Sequence, residues 1–367
     1  MKILMLAPLE RAVNENQTAA RPRLVFDLFV ELIKQGHQVA LVGTADSFVK
    51  GAKIIPAINK GFYEVQNMQA SPTSLTSSWL CYLTKQAKIA EKLSSQFDIC
   101  HSHTKPELLP LMAKLECPLV TTLHLMPDTL LNETLSLFKA NLVVPSKAVQ
   151  QKMKTRSLVI YHGIDTNLYS FKREKSDYLF WLGRVSMAKN KQGKFADEKG
   201  ALWAIKLAKA TKSKLIMSGN IESKEAFDQI IKPSLSNKIK WLGCISFEQP
   251  LKKQEVVKLY QKAKAVLITS QLEETFCLVA VEAQSCGTPV IAFDKGALKE
   301  VVKHSKTGFI VKPNGLPEMK NALKKIDSIK PDDCQQWAKE NFSLNKMAEN
   351  YIQLYQKILG GRSLAPS

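Results

Sequence analysis

The twenty-two residues from Leu272 to Phe293, LEETFCLVAVEAQSCGTPVIAF, restrict the fold more than any other part of the chain. They read as loop, helix, tight turn and buried strand. Glu273, Glu274 and Thr275 supply the acidic residues and N-cap of a helix start, and Phe276 to Ser285 carries the helical run. Cys286-Gly287-Thr288-Pro289 ends the helix, and Val290 to Phe293 is a short apolar strand. Glu274 and Glu282 flank the helix start with seven residues between them. Unpaired amides and the positive dipole end let Phe276, Cys277 and Leu278 hold a phosphate without a metal. Glu282 lies two turns further in, about 10 Å along the axis from Thr275. Its side chain leans back toward the N-terminus, where its carboxylate meets a ribose beside that phosphate.

Glu, seven residues, Glu, then Ala283 and Cys-Gly-Thr-Pro-Val resembles the signature of the family 4 retaining glycosyltransferases of GT-B fold. The resemblance implies that Glu274 contacts the transferred sugar and that Glu282 holds the ribose of the sugar nucleotide. Phe276 and Leu278 also match. The position of Cys277 is usually Gly in that family, so a thiol here narrows or reshapes the sugar pocket.

At 367 residues the chain suits two domains. An apolar content of 45% excludes global disorder, and no run of about 18 apolar residues spans a membrane. Met1-Lys2-Ile3 leads straight into a strand, which leaves no room for a signal peptide and points to the cytosol. The seven cysteines, Cys244 among them, show no paired metal spacing, and reduced thiols are the natural reading. The net charge of +19 is spread along both halves with no nucleic-acid motif, so no specific nucleic acid binding is expected. Peripheral contact with the anionic inner membrane face stays open, because many enzymes of this type take lipid-linked acceptors.

Lys2 to Ala7, a helix from Leu24 to Gln35 and a strand from Gln38 to Gly43 form a βαβ unit. The family usually has Gly-Gly in the loop before that helix; here Ala19-Ala20 stands there, followed by Arg21-Pro22-Arg23. Two arginines there bind phosphate bidentately or are simply solvated. Residues 50–78 read as loops around a short strand and Trp79 to Ser95 as a helix. FDICHSH, ending in His101 and His103, and CPLVTTLH, ending in His124, are strands whose carboxyl ends open toward ligand. His124 matches the histidine that in the family sits near the anomeric carbon, and His103 joins Ala19, Ala20 and Arg23 as a candidate acceptor or phosphate site. His101 and His103 lack a third ligand at usable spacing, so no metal is expected.

Tyr178 to Gly183 is a further strand, and Arg184 follows it. Glu198-Lys199-Gly200 comes after a basic, polar insert at 187–196, which reads as a mobile flap. By resemblance Arg184 and Lys199 are the cations on the donor pyrophosphate, and Gly219 and Gly243-Cys244 frame the nucleotide base. The domains expected are 1–170, 171–340, a helical segment at 341–359 that crosses back to the first domain, and a tail at 360–367. The expected architecture is α/β, with two Rossmann-like domains whose parallel sheets face a central cleft.

The function implied is metal-independent, retaining transfer of a hexose from a nucleotide-diphosphate donor, UDP-linked by preference, to a hydroxyl of a glycan, lipid-linked or small-molecule acceptor. No cofactor is expected, and no Asp-x-Asp motif is present. A sugar-nucleotide 2-epimerase-like isomerase and a non-catalytic basic binding protein are the alternatives.

Overall fold

Apolar runs of four or five residues such as Ala265–Ile268 and Val290–Phe293 have no polar face to offer water, so they pair as parallel strands covered on both sides. The computed structural model describes residues 1–65, 72–243 and 251–361 and divides them into two compact units. The first is Met1–Gly163 together with the chain from Leu344; the second is Ile164–Ser343. The divisions expected from the sequence are 170/171 and 340/341.

The first unit holds a seven-stranded parallel sheet of β1 (Lys2–Leu6), β2 (Gln38–Thr44), β3 (Lys53–Ile58), β4 (Ile99–Ser102), β5 (Leu119–Thr122), β6 (Asn141–Val144) and β7 (Ser157–Val159). Their order is β3-β2-β1-β4-β5-β6-β7, so the winding reverses between β1 and β4. The second unit holds six parallel strands: β8 (Tyr178–Leu182), β9 (Lys214–Ser218), β10 (Ile239–Trp241), β11 (Ala265–Ile268), β12 (Val290–Phe293) and β13 (Gly308–Val311). Their order, β10-β9-β8-β11-β12-β13, reverses between β8 and β11. Open α/β sheets bind ligands at the carboxyl ends of strands at such a reversal. Both units are therefore Rossmann-like, and each has one place where a site is expected.

Helix boundaries differ from those expected of the sequence. The first helix runs Ala20–Lys34, because Pro22 falls in the first turn, where a missing amide costs nothing. The second long helix begins at Pro72 rather than Trp79. The terminal helical segment divides at Ser343 into Pro331–Phe342, in the second unit, and Leu344–Leu359, in the first. Met347, Tyr351, Leu354 and Ile358 of that last helix bury one face in the same core as Leu24, Leu28 and Leu32. Its spacing of three and four residues gives the apolar stripe such packing requires. Two tyrosines reach past this stripe into the sheet. The Tyr355 hydroxyl lies 2.6 Å from His101 Nδ1, and the Tyr351 hydroxyl 2.9 Å from Thr122 Oγ1.

Tyr355→Phe removes a buried partner from His101 and should destabilise the first unit by about 1–3 kcal/mol. Urea unfolding followed by tyrosine and tryptophan fluorescence measures this; an unchanged midpoint would show that the bond contributes nothing.

Candidate active site

In the second unit the reversal places Gly183 and Arg184 after β8 beside Thr269 to Glu274 after β11. Between them runs Asp197-Glu198-Lys199-Gly200. Asp197 fixes this loop by accepting the amides of Ala201 and Leu202 at 2.7 and 2.8 Å, which caps the Ala201–Thr211 helix. Thr269 Oγ1 donates to the Gly200 carbonyl at 2.6 Å, and Trp181 Nε1 to the Lys199 carbonyl at 3.3 Å. Gly200 has φ +72°, and a Cβ there would lie 1.7 Å from the Thr269 carbonyl oxygen, so no other residue fits. Held this way, Lys199 Nζ donates to Glu274 Oε1 at 2.6 Å. The Arg184 guanidinium lies between Glu198 at 2.8 Å and Glu222 at 3.1 Å. The structure thus brings Lys199 and Glu274 together and gives each expected phosphate-binding cation a carboxylate partner.

The helix after this loop spans Leu278–Ser285, two residues shorter at its start than the sequence suggested. Cys277 is the N-cap, in the left-handed region at φ 83°, which turns Phe276 and Thr275 out of the helix. Leu278 is the first helical residue, and the Ala280 amide already bonds the Cys277 carbonyl at 3.1 Å. Burial holds the Cys277 thiol protonated, and the carboxylates of Glu274 and Glu282 act on it in the same direction. Gly296 is the second place where bare backbone is required, since a Cβ there would stand 2.2 Å from the Glu274 carbonyl oxygen. The Ala297 amide donates to that carbonyl at 2.8 Å.

Glu282 is held by two phenols that the sequence reading missed. Tyr169 donates to Oε1 at 2.7 Å and Tyr260 to Oε2 at 2.8 Å. Tyr169 lies 113 residues away, so no local pattern could reveal it. Tyr260 is on the inward face of the Lys253–Lys262 helix, which was a signal available in principle. Gly219 follows β9 and Gly243 follows β10, at the same end of the sheet; Cys244 lies outside the described residues. The 187–196 insert forms a small turn closed by an antiparallel bridge between Lys189 and Phe195, with the lysine ammonium 4.7 Å from the Phe195 ring centre.

In the first unit four of the six histidines form a row at the carboxyl ends of β4, β5 and β7. The rings of His101 and His103 are 4.0 Å apart, His103 Nδ1 lies 3.0 Å from His124 Nε2, and the His124 ring stacks on His162 at 5.3 Å. His103 is fully buried and His124 partly exposed. Burial lowers all four from 6.5, His101 and His162 to about 3. The Arg23 guanidinium bonds Asp27, at 2.7 and 2.8 Å, and the Glu15 carbonyl. Arg21 pairs with Glu10. Ala19 is the N-cap of the first helix and Ala20 its first residue, with no side-chain cap. Among the described residues no group of three or more His, Cys, Asp or Glu side chains is placed to hold a metal ion.

The family profile described as Glycosyltransferase Family 4 matches residues 22–168, and that described as Glycosyl transferases group 1 matches residues 191–344. An uncharacterised glycosyltransferase of Methanocaldococcus jannaschii is 28% identical over 309 residues, covering 76% of this chain and 81% of its own. A D-inositol 3-phosphate glycosyltransferase of Rhodococcus erythropolis is 31% identical over 118 residues, and one of Corynebacterium jeikeium 34% over 122. Those two matches cover 31% of this chain and only 26% and 28% of the relatives' length. Among solved structures, a sucrose-phosphate synthase of Thermosynechococcus elongatus superposes with a TM-score of 0.77 at 16% identity, over 98% of this chain and 99% of that one. The Anabaena protein HepE in complex with UDP and glucose gives 0.70 at 20% identity, over 97% and 99%.

The row of depressed histidines predicts acid lability. The folded state keeps these rings neutral while the unfolded chain takes up protons near 6.5. Their contribution is therefore intact above pH 6.5 and lost as pH falls toward about 3. Each histidine should cost about 1.4 kcal/mol per pH unit within that window. Urea midpoints at pH 7.5 and 5.5 should differ accordingly, and His101→Gln should lessen the difference; a flat profile would contradict the burial of the row.

Proposed function

This chain belongs to the family 4 and group 1 glycosyltransferases, with their GT-B fold, and on that premise we propose a retaining, metal-independent hexosyltransferase. Its donor is a nucleotide-diphosphate sugar, UDP-linked by preference. Its acceptor is a hydroxyl of a glycan, a lipid-linked substrate or a small molecule. The observation that carries this reading is the Lys199–Glu274 pair at the winding reversal of the second sheet, beside a helix start and the tyrosine-held Glu282.

Departure of a nucleoside diphosphate needs countercharge, which preorganised side chains supply at the lowest reorganisation cost. Lys199 exchanges Glu274 for a donor phosphate oxygen, and Arg184 exchanges Glu198 or Glu222 for another. Glu274, released from its ammonium, is then available to the sugar hydroxyls, so phosphate binding and sugar binding are coupled. The bond from the anomeric carbon to the diphosphate oxygen breaks and the bond to the acceptor oxygen forms on the same face. The acceptor proton passes to the departing phosphate oxygen. Glu282 receives the ribose with its two oxygens already oriented by Tyr169 and Tyr260. The Anabaena relative's complexes with UDP and with UDP-glucose support the uridine preference. No helix among the described residues is long and apolar enough to cross a membrane. A cytoplasmic enzyme whose basic surface meets the inner membrane face is the setting we propose.

A thermal-shift screen with UDP, GDP and ADP, with and without EDTA, tests the donor class. A diphosphate at 100 times its dissociation constant adds about 2.7 kcal/mol of stability. UDP should stabilise selectively and EDTA should leave the shift unchanged; no response to any nucleotide would overturn the reading. Glu274→Ala and Lys199→Ala should each lower transfer by about a hundredfold or more. Near-normal turnover in a folded variant would remove them from the mechanism.

A further inference from the structure

His124 is bonded through Nε2, which leaves Nδ1 as its remaining polar atom. Its partner His103 is fully buried, and His103 Nε2 has no hydrogen-bond partner. The neighbouring His101 ring cannot serve as one, because Tyr355 occupies its Nδ1 and Thr122 its Nε2. Two tautomeric arrangements are then available to the pair. If His124 donates from Nε2, His103 must carry its own proton on Nε2, and a buried N–H is orphaned. If His103 donates from Nδ1, the orphaned atom is only a bare lone pair. Buried N–H groups without acceptors are the rarer case in folded proteins.

We propose that His103 is a positioning residue that fixes the tautomer of His124: His103 Nδ1–H donates to His124 Nε2, so His124 presents an Nδ1–H donor to its ligand. His124 then acts as a hydrogen-bond donor to an oxygen of the bound acceptor rather than as a base. The functional half of this statement rests on the glycosyltransferase reading; the tautomer does not. The arrangement also explains the tyrosines of the Leu344–Leu359 helix. By satisfying both nitrogens of His101, Tyr355 and the Tyr351–Thr122 pair hold a ring against His103 that cannot compete for its protons.

The test is two-bond ¹H–¹⁵N correlation spectroscopy of [¹⁵N]histidine-labelled full-length protein at pH 7.5, where all four buried rings are neutral. With six histidines in the chain, His124→Gln and His103→Asn assign the pair. The wild type should show His124 protonated on Nδ1. His103→Phe should return it to the Nε2–H form that free imidazole side chains favour, and His103→Asn, which keeps a side-chain N–H donor, should restore the wild-type form. In transfer assays His103→Phe should lower kcat by about tenfold or more with donor KM little changed, as when a histidine is held in the wrong tautomer, and His103→Asn should recover the loss. Nε2 protonation of His124 in the wild type, or an unchanged tautomer in His103→Phe, would overturn the proposal. Absence of transfer by the wild type would overturn the functional reading and leave the tautomer assignment standing.

Discussion

Everything expected of the second unit depends on one close approach of backbone to backbone. The chain at Gly200 passes so near the Thr269 carbonyl that a single methyl would overlap it, and the Thr269 hydroxyl closes the contact by donating to the Gly200 carbonyl. The approach joins the segment after β8 to the segment after β11 across the winding reversal of the sheet. Lys199 is the adjacent residue, and its ammonium extends to Glu274. A lysine on a free loop would spend side-chain entropy to reach the same carboxylate; here the backbone has already been fixed by a helix cap, an indole donor and a glycine.

The ion pairs built on this frame are better understood as storage than as stabilisation. Exposed pairs contribute about 0–1 kcal/mol, and Arg184 is about two-fifths exposed. Their value lies in what they prevent. Left without its partner, either side chain would be free to turn away. Pairing keeps both groups oriented for the ligand proposed above.

Much of the fold was legible because buried parallel strands announce themselves as short apolar runs: the strands predicted at 178–183, 265–269 and 290–293 lie within one residue of those found. The site was legible where it depends on sequence-local chemistry, as with Lys199 next to Gly200 or Glu274 beside a helix start. It was not legible where it depends on long-range partners. For Arg23 the structure adds Asp27, one helical turn on, and the Glu15 carbonyl as partners of the guanidinium. That i, i+4 pair was visible in the sequence and argued for the bland reading. The clamp on Glu282 by Tyr169 and Tyr260 needed the tertiary structure, as did the alignment of four histidines from three different segments.

Cys277 shows how departure from the family pattern translates into physics. The chain must enter the left-handed region at the helix start, where glycine is at ease and any side chain costs about 1–2 kcal/mol. In return the thiol stands among the groups proposed to hold the donor, close enough to Glu274, Lys199 and Glu282 to feel their charge. Burial and two carboxylates keep it protonated, which removes it from nucleophilic chemistry and leaves it as a small, polarisable wall. A strained residue kept at such a point is an indication of function at that point. Here the strain buys shape: the cysteine occupies volume near Glu274 that glycine would leave open.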